Sequence, residues 1–309
     1  MEEMLSNTKL NEADFLDKKG RVDAQTYFYL FQQAVRLTKD PLVGLKVGSR
    51  VMPGSYGVIG HVLMACRNFG EVLMRSGRYQ KLVGDIGYSD IVFDNDEAEV
   101  RWHSDYKEVP AAVVEEHVSS IVTYSRWITG QDKHPLWISF NHEAQGSLSV
   151  YEAVFQCDVR FNQAETSVRF PIAYTEIALP QFDLDLCTWL DKKAQKQLED
   201  LEAESEFIGK VRKVIRNALP DGVPTLDSVS ANMGSNEKAL QRDLGQFNTN
   251  FKTLLDETRH QLALGYIDND DIELNELAFL LGFSEQSAFQ RAFKRWTGVS
   301  PGKYRKLHQ

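Results

Sequence analysis

The sequence predicts an α+β N-terminal domain followed by an all-α C-terminal domain with two helix-turn-helix motifs. Three observations carry this expectation. The front alternates helical and strand periodicities, the rear third repeats a helix–glycine–helix unit, and the charge changes character between them. The 309 residues are enough for two domains of ordinary size, and a hydrophobic share of 42% lets both bury cores. We place the front domain at residues 12–180, a linking helix at 181–206 and the rear domain at 207–309.

In the front, Phe28, Phe31 and Val35 fall at helical spacing within a helix from Gln25 to Thr38, and Asp40-Pro41 opens the next. Val58 to Arg67 and Phe69 to Leu82 read as two further helices. Ile86 to Phe93 and Ala98 to His103 read as strands joined by a turn at Asp94-Asn95-Asp96. Ala111 to Thr129 is a long helix, opened by Pro110 and closed by Gly130. Leu136 to Asn141 and Thr166 to Phe170 are the remaining expected strands. From Phe182 to Glu206 a narrow seam of Leu186, Leu190, Ala194, Leu198 and Leu201 runs between charges. It suits a helix packed on its own domain or one paired with a second copy of the chain.

Composition excludes several classes. The net charge is −9, but the acidity sits in front. From Phe207 onward there are 14 Lys and Arg against 12 Asp and Glu; the residues before it hold 21 against 32. In the rear the acids gather at Asp268 to Glu276 and the cations at Arg291 to Lys306. The most apolar stretch, Val58 to Cys66, is too short to span a bilayer, and the polar start lacks the pattern of a signal peptide. Three widely spaced cysteines, Cys66, Cys157 and Cys187, fit a reducing cytoplasm. No metal-binding spacing, phosphate loop or nucleophile motif is present, so neither cofactor nor metal nor enzymatic activity is expected.

The rear repeat is specific. Leu226 to Gly234 lies over Leu274 to Gly282 at an offset of 48; after the glycine the offset becomes 49, matching Gln241-Arg242 to Gln290-Arg291. The units span about 225–247 and 273–297. In each, an apolar helix face ends at a glycine suited to a left-handed residue, and a polar N-cap (Asn236, Ser284) opens a second helix. Leu240 and Leu244, or Phe289 and Phe293, are its buried side. This is the pattern in which the second helix enters a major groove of double-stranded DNA. Its outward face needs side chains that fork to bases: Lys238, Gln241 and Arg242 in the first unit, Gln286, Ser287, Gln290 and Arg291 in the second. Lys294, Arg295, Lys303 and Arg305 suit phosphates. The helix from Thr249 to Tyr266 would hold the two heads apart, and Ser300-Pro301 opens a last short one.

The run from Leu277 to Arg305, with Gly282, Phe283, Ser287, Phe289, Arg291, Phe293, Trp296, Gly298, Pro301 and Tyr304, resembles the AraC/XylS DNA-binding domain. The resemblance covers about a hundred residues. The first unit departs from the pattern at Asn236, Lys238 and Asp243, where Ser, Arg and a basic residue are usual. The front resembles the arabinose-binding-type N-terminal domain of some AraC-like regulators, through Phe31 to Ala34, Leu37-Thr38, Asp40-Pro41, Gly44-Leu45, Gly57 to Gly60, Arg78-Tyr79 and Trp127 to Gly130. The resemblance implies a cytoplasmic transcription regulator, a small-molecule effector of varied identity, homodimers, and RNA polymerase as a partner where the regulator activates. For an effector site the candidates are His61, Tyr79, Asn141 and His142. The alternative is an effector-independent regulator whose front domain serves only oligomerisation or protein contacts.

Overall fold

The computed structural model describes residues 2–5, 8, 10, 11, 14, 21–267 and 272–307. The start of the front domain at residue 12, and Asp268, Asp270 and Asp271 of the acidic cluster, lie outside the described residues. The chain divides into two compact units, Met1–Glu199 and Asp200–Gln309.

The first unit begins with α1 (Glu2–Leu5), α2 (Ala24–Thr38), α3 (Val43–Gly48), α4 (Gly57–Met64) and α5 (Phe69–Val83). Asp23 caps α2 by accepting from the Thr26 amide, and Asn68 caps α5 through Glu71. Strands β1 (Tyr88–Asp94) and β2 (Glu97–His103) form the expected hairpin, with Asn95 left-handed at φ 51°. Then follow α6 (Ala111–Thr129), β3 (Trp137–Ser139), α7 (Leu148–Phe155), β4 (Asp158–Arg160) and β5 (Thr166–Pro171). The sheet order is β1-β2-β5-β3-β4, antiparallel except for the β3–β4 pair. Helix α6 feeds three front cores: Tyr124 and Ile128 pack with Phe69 and Tyr79, Val114, Val118 and Val122 pack with Ile138 and Phe140, and Val113 packs with Ala24 and Phe28 of α2.

Beside the short α1, two elements later in the unit, α7 and β4, have no counterpart in the sequence expectations. α7 buries only Tyr151 and Phe155 while Leu148 and Val150 are exposed, so its apolar pattern is blurred; β4 is three residues long. The seam helix is longer than expected. It is the first part of α8 (Leu184–Ala218), so residue 206 falls inside a helix and not at its end. Leu190, Ala194 and Leu198, joined by Cys187, are buried in the first unit's own core, while Leu186 is exposed. Leu190, Ala194 and Leu198 of the seam thus pack within this chain, while Leu186 is exposed and Leu201 half-buried.

The second unit takes Val211 and Ile215 of α8 into a core with α9 (Leu226–Asn232), α10 (Glu237–Gln246) and the start of α11 (Phe251–Ile267). A second core joins the end of α11 to α12 (Leu274–Leu280), α13 (Gln286–Thr297) and α14 (Pro301–Leu307). Leu254 and Leu255 serve the first core, Ala263 and Ile267 the second. Helix α11 is therefore the linking element the repeat implied, ~25 Å long at 1.5 Å per residue.

Candidate nucleic-acid interface

Each helix-turn-helix is built from its caps inward. Thr225 accepts from the Ser228 amide and Ser228 Oγ accepts from the Thr225 amide, closing a capping box on α9. The turn passes through Gly234 at φ 65°, and Asn236 caps α10 by accepting from the Ala239 amide at 3.0 Å. In the second unit Gly282 sits at φ 69°. Ser284 is not the cap there: α13 starts one residue later, with Glu285 at the N-cap and no side-chain cap bond.

Two pairings hold the second unit together that periodicity did not reveal. Arg259 of α11 donates from Nε to the Leu281 carbonyl at 2.9 Å and from Nη2 to the Gly282 carbonyl at 2.7 Å, with its guanidinium 4.4 Å from the Phe283 ring centre. It closes the open end of α12, and burial pulls its pKa below the usual arginine value. Asp256 of α11 accepts from Trp296 Nε1 at 2.9 Å and pairs with Arg295, tying α13 to α11.

On α13, Phe289, Ala292 and Phe293 face inward. Ser287, Gln290, Arg291 and Lys294 are exposed, and Gln286 is half-buried beside them. Positions 286, 287, 290, 291 and 294 follow a single helix face. Glu285 organises it: Ser287 Oγ donates to its carboxylate, and Arg291 Nη2 lies 3.4 Å from the same oxygen. The Ser287 hydroxyl above all, with Arg291 second, holds this carboxyl below the ordinary range. On α10, Lys238, Gln241 and Arg242 are exposed opposite the buried Leu240 and Leu244. Arg242 donates from Nε to Asp243 at 3.0 Å, so its guanidinium is partly engaged.

The expected phosphate contacts separate. Lys294 and Lys303 are exposed. Arg295 is exposed but tethered to Asp256. Arg305 is turned inward: Nε donates to the Ile267 carbonyl at 2.7 Å and Nη2 to the Ile272 carbonyl at 2.9 Å. These bonds tie α14 to the backbone at Ile267 and Ile272 and engage the guanidinium expected to meet phosphate.

The four effector-site candidates are not brought together. Tyr79 is fully buried and donates to Asp191 Oδ1 at 2.9 Å, a structural bond between α5 and α8 that corrects its assignment to a pocket. His61 is exposed on α4. Asn141 accepts from Thr166 Oγ1 at 3.1 Å, and His142 packs beside Phe140 and Phe161. None of the four lines the apolar cleft of the first unit, whose walls come from α5, α6, β2 and β5 and whose more exposed lining includes Arg126, Lys133 and His134.

Comparison with known proteins agrees with this geometry. The family described as the arabinose-binding domain of AraC transcription regulators, N-terminal, matches residues 1–179, and a helix-turn-helix domain family matches residues 229–307. The ornithine utilization regulator of Pseudomonas aeruginosa is 25% identical over 288 residues, covering 93% of this chain and 85% of that protein. The regulator VqsM of the same organism is 25% identical over 272 residues, covering 85% and 83%. The crystal structure of the regulator CdpR from P. aeruginosa aligns over 95% of this chain and 96% of that one, at 21% identity and a TM-score of 0.43. The first family match alone spans more than half of the 309 residues. This chain belongs to the AraC-type transcription regulators: it is a regulator and not an enzyme, with an arabinose-binding-type domain ahead of a helix-turn-helix DNA-binding domain.

Proposed function

We propose that this regulator reads a specific DNA sequence with both helix-turn-helix units, and that a small molecule held by the N-terminal domain controls that binding. The observation that carries the proposal is the pair of outward faces, Lys238, Gln241 and Arg242 on α10 and Ser287, Gln290 and Arg291 on α13, each opposite a buried apolar face. Gln and Arg are the side chains whose forked donors and acceptors match adenine and guanine edges. Lys294 and Lys303 are placed to neutralise backbone phosphate, which orients the heads without reading sequence.

The effector half of the proposal rests on the cleft of the first unit, whose lining is mainly apolar with polar side chains among it, Arg126, Lys133 and His134 included. A similar protein is named for ornithine utilization, which favours a metabolite over a purely structural front domain. The homodimer belongs to the same proposal, and needs a surface beyond the buried Leu190, Ala194 and Leu198 of α8. Contact with RNA polymerase follows where the regulator activates.

The test is selection from random-sequence DNA followed by footprinting of the selected site. Two protected segments about one helical turn, ~10 base pairs, apart are expected. Protection that is uniform along the DNA and vanishes with salt would reduce the domain to a non-specific binder.

A further inference from the structure

The cleft of the first unit has a chemical character that its family description does not suggest. It has a volume of about 60 Å³. Phe69, Leu73, Val100, Val168 and Phe170 supply its deep wall, and all five belong to the buried cores. Two hydroxyls of α6 also line it, but both are committed elsewhere. Ser125 Oγ donates to the Ile121 carbonyl at 2.7 Å, and Thr129 Oγ1 donates to the Ser125 carbonyl at 2.7 Å. Their hydrogens are used within the helix, which leaves only their oxygens as acceptors in an otherwise apolar interior.

The mouth is different. Arg126 is held by the end of α7: Nη1 donates to the Val154 carbonyl at 2.8 Å and Nη2 to the Phe155 carbonyl at 2.6 Å. Nη2 also lies 3.2 Å from His134 Nδ1. A guanidinium only donates, so Nδ1 accepts and the imidazole proton sits on Nε2. Lys133 is exposed beside Tyr174, its ammonium 5.9 Å from the ring centre. No acid is among the described residues lining the cleft; the exposed Asp132 lies 3.9 Å from Arg126 Nε, outside the lining. The field at the mouth is therefore positive.

We propose that this cleft binds a short aliphatic carboxylate, with a tail of about four to six carbons in the cavity and the carboxylate against Lys133 and His134 at the mouth. The tail length follows from the volume, since a water-sized group fills roughly 10–15 Å³ on this measure. The head group follows from the sign of the charge and from the donors at the mouth. A sugar is disfavoured because most of its hydroxyls would face apolar wall, with only the Ser125 and Thr129 oxygens there as acceptors, and each unmatched hydroxyl is costly to bury. An amino acid or diamine is disfavoured because its ammonium group would meet Arg126 and Lys133, while the neighbouring Asp132 carboxylate lies outside the lining and already faces Arg126. The proposal rests on the effector reading above and gives that effector a chemical class.

Isothermal titration calorimetry of the full chain with hexanoate, hexylamine and L-arabinose tests it, with Lys133→Glu and Ile121→Trp as variants. Lys133 is exposed, so its reversal leaves the core intact; Ile121 is only half-buried, and tryptophan there fills the cleft from α6. Circular dichroism confirms that both variants are folded. Hexanoate should bind the wild type, weaken at least tenfold in each variant, and outcompete hexylamine and arabinose. A wild type that ignores hexanoate, that binds hexylamine or arabinose equally well, or whose hexanoate affinity survives both variants overturns the assignment. Operator affinity measured with and without hexanoate separates the two readings. Hexanoate bound as described but without effect on DNA keeps the site and removes the effector role. A response to some other small molecule, with none to hexanoate, removes the carboxylate assignment and keeps the effector role.

Discussion

Gly234 and Gly282 occupy equivalent turns and have nearly the same backbone, φ 65° and 69°, yet alanine at the two should behave differently. Both substitutions place a β-carbon in the left-handed region, at a cost of roughly 1–2 kcal/mol. At Gly234 nothing lies within 4 Å of the new atom, so the conformational cost is the whole effect. At Gly282 the new atom would stand 2.9 Å from Leu219 Cδ2, 3.1 Å from the Gly222 carbonyl oxygen and 3.2 Å from the Leu219 carbonyl oxygen. Leu219 is fully buried and two of the three neighbours are backbone, so they yield only by shifting the turn before α9. Overpacking of this kind adds about 1–3 kcal/mol.

Hydrogen exchange read peptide by peptide in the full chain isolates the effect, because it reports local opening and not only global unfolding. Gly234→Ala should raise opening of α9 and α10 about five- to thirtyfold. Gly282→Ala should raise opening of α12 and α13 by a further factor of about five to 150. Equal increases at the two turns would refute the argument, since they would mean that the close approach to Leu219 and Gly222 contributes nothing.

The other predictions follow from side-chain roles. Arg291→Ala and Gln290→Ala should each cost about 1–3 kcal/mol on the preferred DNA site and relax base preference, whereas Lys303→Ala should weaken all sequences evenly and lower the salt slope by about one; competition assays across salt separate them. Arg305→Ala, read as the loss of two backbone anchors, should lower the melting temperature of the full chain along with DNA affinity, while a phosphate ligand would lower affinity alone. The buried Glu115 carboxyl, accepting from Tyr151, is pushed up to about 7 by burial. Its contribution is complete below its ordinary value of 4.5 and is lost as pH rises through about 7, whereas His117, pulled down to about 4 by burial, loses its contribution as pH falls from 6.5. Glu115→Gln should therefore match the wild type near pH 4 and exceed it by up to ~3 kcal/mol at pH 8, measured by denaturant unfolding at both.

Much of the second unit was legible because its signals are local. A cap, a left-handed glycine and an alternation of Leu240 and Leu244 with Gln241 and Arg242 all act within one turn of their own positions, and these the structure places as the sequence predicts. What periodicity reports, however, is the side of a helix a residue occupies and never its partner. Lys303 and Arg305 sit two positions apart in one basic run, but only Arg305 finds carbonyls at Ile267 and Ile272, so one points to solvent and the other inward. The α8 seam obeys the same limit: its spacing fits an external helix and an internal core equally, and the burial of Leu190, Ala194 and Leu198 places those three in the core.

The front cleft fails to register in the sequence for a related reason. Arg126 lies in the last turn of α6 and His134 beyond its end at Thr129, so no single helical or strand period runs from one to the other. They meet because the guanidinium is pinned by the Val154 and Phe155 carbonyls at the end of α7, an element too short and too exposed to announce itself. The histidine at the mouth is thus selected by a hydrogen bond from a neighbouring arginine. His142 and Asn141, which stand out by residue type, are instead occupied by the Glu143 carbonyl and by Thr166. A site made of one helix end, one loop and the terminus of a hidden helix leaves no contiguous motif, so its chemistry becomes readable only once the chain has folded those three pieces together.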